Sequence, residues 1–251
     1  MRKNEPRILL LDIETLPLVV TTWRLKVEGY LSHENIQGEN SIVCAAWKWL
    51  GERAVSSASV LSHKSKDADV PDAGILRKLH GAMSEADAVV AHNGDRFDIP
   101  WIRTRLLLTD LPTLKPTRTI DTKKIAKRVF MFNSNRLDYL GKRLGLGQKI
   151  RTDYDLWLKA MKGDRKAIAE MVRYNREDVR LLERVFLKLR PHVPAALNLN
   201  HWASEAVCPT CGSKRIQARG IGVNAVTQYR RFHCQECGAW SKQPMNAGMV
   251  R

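Results

Sequence analysis

The sequence has no run approaching the roughly 18 to 20 consecutive apolar residues that a membrane helix needs. Its opening residues, 1 to 7, lead into a short apolar stretch with no small-residue cleavage site of a secretory leader. Neither a membrane-spanning nor a secreted protein is expected, and the expectation is a soluble, cytoplasmic one. Cysteine is scarce, five residues in 251. Four of them form two CxxC pairs near the C-terminus, which suits metal ligation in a reducing compartment better than a disulfide framework. Acidic residues are also in short supply, 26 against 42 Lys and Arg, for a net charge of +16. A field that positive draws polyanions, so nucleic acid is the natural partner; the plain alternative is charge kept for solubility. There is no internal repeat and no low-complexity tract. With 44% hydrophobic residues the chain can bury a core, and its length suits one main domain plus an appendage.

What is present reads as alternating elements. Arg7 to Ile13 is a continuous apolar run too short for a helix, which suits a central strand covered on both faces. Ile42 to Leu50 and Ala54 to Leu61 follow as strands, predicting a three-strand meander. Cys44 lies in this apolar stretch and reads as a buried, inert thiol. Pro71 and Asp72 open a helix to about Ser84, Ala88 to Ala91 is a further strand, and a helix from Pro100 to Leu108 precedes a short strand at Thr119-Ile120. Helices are then expected at Thr122 to Val129, Leu137 to Leu144, Tyr154 to Met161 and Arg165 to Arg190. The last is capped by Asp164 and ended by Pro191. Ile168, Met171, Val172, Val179, Leu182, Val185, Phe186 and Leu189 give it one apolar face. The order implies an α/β layer fold with a mixed sheet over 1 to 195, and a linker with a small module over 196 to 251.

Acids interrupt this frame in a few places. Asp12 and Glu14 are two apart on the first strand and so project from one face. Like charges placed together there are destabilising unless a cation lies between them, although an acid pair can also simply end a strand in solvent. Asp98 follows the strand at Val90 through a Gly turn and either lines a site-forming loop or caps the helix that Pro100 enters; His92 and Asp95 are rival ligands in that loop. Tyr174 and Asp178, four apart on the long helix, can reach one point together, as a Tyr orienting a water on a metal held by Asp178 would. Alternatively Asp178 pairs with Arg173, Arg180 or Arg184.

Taken in order, these acids resemble a known family. Asp12-Ile13-Glu14, Asn93-x-x-x-Phe97-Asp98 and Tyr174-x-x-x-Asp178 resemble the three motifs of the DEDD (DnaQ-like) exonucleases, over about residues 7 to 190. Position 173 is Arg where the histidine branch has His, so the resemblance is to the tyrosine branch. It implies a ribonuclease-H-like mixed β-sheet flanked by helices, and a 3′ to 5′ exonuclease with two Mg²⁺ or Mn²⁺ ions. Asp12 would bridge the ions, Glu14 and Asp178 would complete one, Asp98 would support the other, and Tyr174 would align the nucleophile. Asp121, in a strand-to-helix segment of the same likeness, is left outside the site.

Substrate contacts are expected from Asn93 and Phe97 and from the basic run at Lys115 to Arg151, where eleven cations face Asp121 and Asp138. Lys123, Lys124, Lys127, Arg128 and Arg136 would track phosphates there, and Phe97, Trp101, Trp23 and Tyr139 are candidate stacking platforms. Cys208, Cys211, Cys234 and Cys237, each pair followed by a glycine, predict one closed structural Zn²⁺ site, with a disulfide or redox dithiol as the alternatives. Arg230 and Arg231 in the ribbon strand Gln228 to His233 would add grip. The expected substrate is DNA, single-stranded in preference. RNA, a structure-selective endonuclease and a lapsed nucleic-acid-binding protein are the alternatives, and protein partners are left open.

Overall fold

The computed structural model describes residues 6–24, 26, 28–67, 69–150, 152–193, 198–201, 203 and 205–245. The apolar run near the start forms β1 (Ile8–Thr15), followed by a short hairpin of β2 (Val19–Val20) and β3 (Ile36–Gly38). Next come β4 (Ile42–Trp49), β5 (Ser56–Ser59), α1 (Ala73–Glu85), β6 (Ala88–Ala91), α2 (Asp98–Leu106) and β7 (Arg118–Asp121). Then the chain is helical: α3 (Thr122–Val129), α4 (Leu137–Arg143), α5 (Tyr154–Met161) and α6 (Arg165–Leu189). A last group of strands, β8 (Ile216–Val223), β9 (Gln228–Cys234) and β10 (Trp240–Pro244), forms its own sheet in the order β10-β9-β8. The boundary expected at 195/196 lies outside the described residues.

The main sheet has the order β5-β4-β1-β6-β7. β4 and β5 add antiparallel on one side of β1, as the predicted meander, and β6 and β7 add parallel on the other. This mixed sheet flanked by helices is the ribonuclease-H-like fold the sequence implies. Because strand side chains alternate, β1 feeds two cores. Leu9, Leu11 and Ile13 pack with α1 and α2, while Ile8 and Leu10 face α3, α4 and α6. Both faces of β1 are covered, which is why its sequence is apolar without alternation.

α6 lies across the second face. Asp164 caps it by accepting from the N–H groups of Lys166 (2.8 Å) and Ala167 (3.0 Å). It ends at Leu189, and Arg190–His192 form a 3₁₀ turn carrying Pro191. Several expected boundaries shift: β5 spans Ser56–Ser59 rather than Ala54 to Leu61, and α1 starts at Ala73. α2 starts at Asp98 rather than Pro100, because a proline in the first turn lacks only an N–H that would be unpaired anyway. It also ends two residues earlier, at Leu106. Asp72 makes no side-chain cap for α1. Its carboxylate is buried, accepting from Arg105 Nη2 (2.8 Å) and Nε and from the N–H of Ile42 (2.9 Å), which ties the two helices of that face to β4.

Among the described residues no helix is long and apolar enough to cross a membrane.

Candidate functional site

On the α6 face of β1, Asp12 and Glu14 continue the row begun by Ile8 and Leu10. Their cross-strand neighbours on β4 are Ala46 and Cys44, small side chains that leave room above the sheet. α6 covers this row with apolar residues at both ends. Ile168 and Met171 pack on Val43 and Cys44; Val179, Leu182, Val185, Phe186 and Leu189 pack on Ile8 and Leu10. Between them the helix turns polar, with Tyr174, Asn175 and Asp178 all buried. Each fully buried apolar side chain contributes roughly 1.5–3 kcal/mol, and several flank the gap, so together they offset the several kcal/mol that one buried ion costs.

In that gap one carboxylate oxygen from each of Asp12, Glu14 and Asp178 lies within 4.8 Å of the others. Burial pushes the Asp12 carboxyl well above its usual range, and the charges of Asp98 and Glu14 push it further. Burial raises Glu14 to about 7 against the opposing pull of Lys149, and burial likewise raises Asp178. Asn175 Nδ2 donates to Asp12 Oδ2 at 2.6 Å. Among the described residues, Asp178 Oδ1 is buried with no hydrogen-bond partner. An orphaned carboxylate oxygen beside two further acids is a donor set that a divalent cation fits chemically.

Asp98 stands outside this group of three, but is near enough that its charge is the largest electrostatic influence on Asp12. It is buried at the start of α2, and its Oδ1 accepts from the backbone N–H of Ile13 at 3.1 Å, reaching β1 between the two acids there. Burial raises it to about 7. The charges of Asp98, Glu14 and Asp178 therefore all act on Asp12.

Sequence reasoning missed two participants. Lys149, counted among the basic run, ion-pairs with Asp178 and donates to Tyr174 Oη at 2.9 Å. Burial would lower its pKa, but the charges of Asp12 and Asp178 hold it above the ordinary lysine range. Asn175 was the other; a buried amide three residues before Asp178, on the same helix face, was the available signal. The pairing considered for Asp178 with Arg173, Arg180 or Arg184 is not made: Arg173 pairs with Glu170 and Arg180 with Glu177.

The rival ligands are engaged elsewhere. His92 Nδ1 meets Thr122 Oγ1 and its Nε2 meets the Asn135 carbonyl, both at 2.9 Å, and burial lowers it to about 4. Asp95 pairs with Lys124 at 2.7 Å. Asp121 caps α3 through Lys123 and Lys124 N–H and also accepts from Asn93 N–H at 2.9 Å, a structural role. Asn93 has a left-handed backbone, φ 71°, and its Oδ1 accepts from Lys123 Nζ at 3.2 Å. Lys124, Lys127 and Arg128 line a cavity of about 590 Å³ next to β7, and Arg136 is exposed at the entry to α4. Arg151 lies outside the described residues. Of the four candidate stacking rings, Phe97, Trp101 and Tyr139 pack against core residues and only Trp23 is fully exposed.

At the other end, Cys208 and Cys237 Sγ lie 3.7 Å apart, and Cys211 and Cys234 Sγ 3.6 Å apart. All four sulfurs fall within 4.8 Å of one another. Disulfide sulfurs are about 2.05 Å apart, whereas Zn–S bonds of about 2.3 Å in a tetrahedron put sulfurs about 3.8 Å apart. The group is one that could hold zinc. Gly212 and Gly238, with φ of 77° and 71°, supply the left-handed step after each CxxC turn. His233 is not in the group; its ring stacks 4.8 Å from that of Trp240. Arg190 is buried just past α6, and burial lowers its pKa against the opposing pull of Cys211, Cys208 and Cys237. Among the described residues its Nε and one Nη have no hydrogen-bond partner, and it stands as a positive neighbour of the four-cysteine group.

The model of the RNase_H superfamily matches residues 37–190, more than half of the sequence, and the chain belongs to that superfamily. No curated protein matches it in sequence. Among solved structures it is similar to the family B DNA polymerase from the hyperthermophilic archaeon Pyrobaculum calidifontis, at 16% identity and a TM-score of 0.56. The similarity covers 90% of this chain and 32% of the polymerase, so the chain spans about a third of that protein's length. At this identity the likeness is one of fold.

Proposed function

We propose that the protein is a metal-dependent nuclease of the DEDD type, tyrosine branch, which shortens nucleic acid from the 3′ end. The observation that carries this reading is the convergence of Asp12, Glu14 and Asp178 within 4.8 Å, with Asp98 near enough for its charge to act on Asp12. Membership of the RNase_H superfamily supports a nucleic-acid substrate, and the fold likeness to a DNA polymerase favours DNA. Two units are proposed, a nuclease domain over 1 to 195 and a zinc ribbon over 196 to 251.

Glu14 and Asp178 would hold one Mg²⁺ or Mn²⁺ ion and Asp98 a second, with Asp12 shared between them. Such ions, when bound, would acidify a water and neutralise charge building on the phosphate. Tyr174 keeps its proton: burial and the Asp178 charge raise its pKa, so its hydroxyl orients the attacking water rather than deprotonating it. Asn175 fixes the rotamer of Asp12 through its hydrogen bond. Hydrolysis breaks the phosphorus to 3′-oxygen bond, and the leaving oxygen takes a proton from solvent. Cys208, Cys211, Cys234 and Cys237 would hold one Zn²⁺ in a closed, structural site. Asn93, Phe97, Lys123, Lys124, Lys127, Arg128, Arg136, Arg230 and Arg231 are proposed to contact substrate.

The test is incubation of 5′-labelled single-stranded DNA, duplex DNA and RNA with Mg²⁺ or Mn²⁺, beside Asp12→Ala. A ladder shortening one nucleotide at a time from the 3′ end, absent in the variant, is the expected result. Internal cuts would make the protein an endonuclease, and binding without metal-dependent product would make it a binding protein.

A further inference from the structure

The ribbon sheet carries an arrangement of charge and rings that the carboxylate cleft does not use. Side chains alternate along β9, so Tyr229, Arg231 and His233 share one face. The register sets Pro244 of β10 opposite Tyr229, Lys242 opposite Arg231 and Trp240 opposite His233. Two cations thus stand directly across from each other on paired strands, which destabilises a sheet. No acid relieves them. Glu205 pairs with Lys214 at 2.7 Å and Glu236 with Arg215 at 2.9 Å, and among the described residues Arg231 and Lys242 have no carboxylate partner. Aromatic rings flank the pair along the strands. Trp240 leans one side on His233 and is 52% exposed. Tyr229 lies over β8 at Gly222, where a Cβ would fall 2.6 Å from a ring carbon, so the missing side chain is what lets the ring lie there. Lys242 Nζ is 5.0 Å from the Tyr229 ring centre. Tyr229, Arg231, Trp240 and Lys242 line a cavity of about 470 Å³.

We propose that this pocket is a second nucleic-acid subsite, taking one unpaired nucleotide with its base against the exposed side of Trp240 and its phosphate between Arg231 and Lys242. It rests on the reading of the chain as one that acts on nucleic acid. A ring face accepts any base, so the subsite selects unpaired strands over duplex without selecting sequence. A phosphate between the two cations removes the repulsion that the register imposes. Arg230 projects from the opposite face of β9 and takes no part, which separates it from Arg231.

The test uses the full chain, zinc-loaded and carrying Asp12→Asn so that probes are not cut, without added Mg²⁺. Fluorescence anisotropy compares a fluorescein-labelled 12-nucleotide oligo-dT with the same backbone lacking bases. Stacking on one ring is worth about 1–3 kcal/mol, so Trp240→Ala is expected to weaken the base-bearing probe about tenfold and leave the abasic one unchanged. Trp240→Phe restores affinity, whereas Trp240→Leu, which keeps an apolar side chain but no ring, does not. Arg231→Ala weakens both probes and lowers the slope of log affinity against log salt by about one. The proposal is overturned if Trp240→Ala and Trp240→Leu proteins that retain one zinc bind both probes like the parent, or lose both equally. It is also overturned if polyglutamate of equal charge displaces the oligonucleotide as well as unlabelled oligo-dT does, since the face would then recognise acidic peptide. Failure of the nuclease reading is scored separately: wild-type protein that cuts nothing but shows the ring dependence loses its catalytic assignment and keeps this subsite. Protein that degrades DNA while its Trp240 variants bind like the parent loses only the subsite.

Discussion

Around Asp12, Glu14 and Asp178 the chain assembles three apolar clusters, drawn from the main sheet and its helices. Around Cys208, Cys211, Cys234 and Cys237 it has far less: among the described residues the buried apolar cluster is Ala239 and two of the cysteines themselves, with Ile216 half-buried beside them. β8 is exposed along most of its length. Both regions crowd ligand atoms of one sign, yet they stand in opposite relation to a metal. In the first, packing holds the acids together and a cation relieves the result. In the second there is little apolar surface to hold the strands, and the proposed zinc would supply what packing does not.

That contrast is open to direct attack. The largest effect is expected from zinc. Structural Zn²⁺ contributes on the order of 10 kcal/mol or more in zinc-finger peptides, so Cys208→Ser should release the whole ribbon. Hydrogen exchange would show fast exchange across residues 216 to 244, with β1 and α6 as protected as before; protection that persists in the ribbon would remove the distinction. Next is Asp12→Ala. Losing several kcal/mol of transition-state stabilisation lowers cleavage by about a thousandfold or more. The fold should survive, because a repelling charge leaves the cleft, and a melting curve shifted downward by many degrees would contradict packing as its support.

Lys149→Met should be intermediate. Removing one partner of a buried pair costs about 3 kcal/mol, at the low end of the usual range because the lysine is partly exposed. Saturating Mg²⁺ should restore most of it, read as the metal-dependent gain in melting temperature. The smallest effect concerns pH. Glu14 stands at about 7 in the folded protein against an ordinary 4.5, raised chiefly by burial. The folded state therefore holds a proton that the unfolded chain releases, so this contribution is full below about pH 4.5 and lost as pH rises through about 7. Metal-free wild type should lose a few degrees relative to Glu14→Gln between pH 5 and 8, at roughly 2–4 °C per kcal/mol. A flat difference would mean that Glu14 is not held protonated.

The main sheet was readable because β1 is apolar on both faces and each acid motif sits at a chain turn set by local chemistry: a strand row, a Gly-containing loop, a helix face. The β2–β3 hairpin was not anticipated, since strands of two and three residues, none of them buried, leave no periodicity to detect. Lys149 was invisible for a different reason. Among eleven cations nothing local marks it; what brings it to Asp178 is the path after α4, where Gly145 and Gly147 take left-handed backbone and the Lys149 N–H bonds Asp138 Oδ1 at 2.9 Å. Lys48, a lone charge in an apolar strand, likewise finds Glu183 on α6 only once the helix crosses the sheet.

The placement of Lys149 carries a thermodynamic corollary for loading the cleft. An ammonium already neutralises part of the carboxylate charge there, so an arriving dication must exchange with it rather than enter an empty anionic well. For the first ion, that exchange would raise the local charge by one unit, not two. Occupancy by Mg²⁺ should accordingly depend less steeply on background electrolyte than three bare acids would demand.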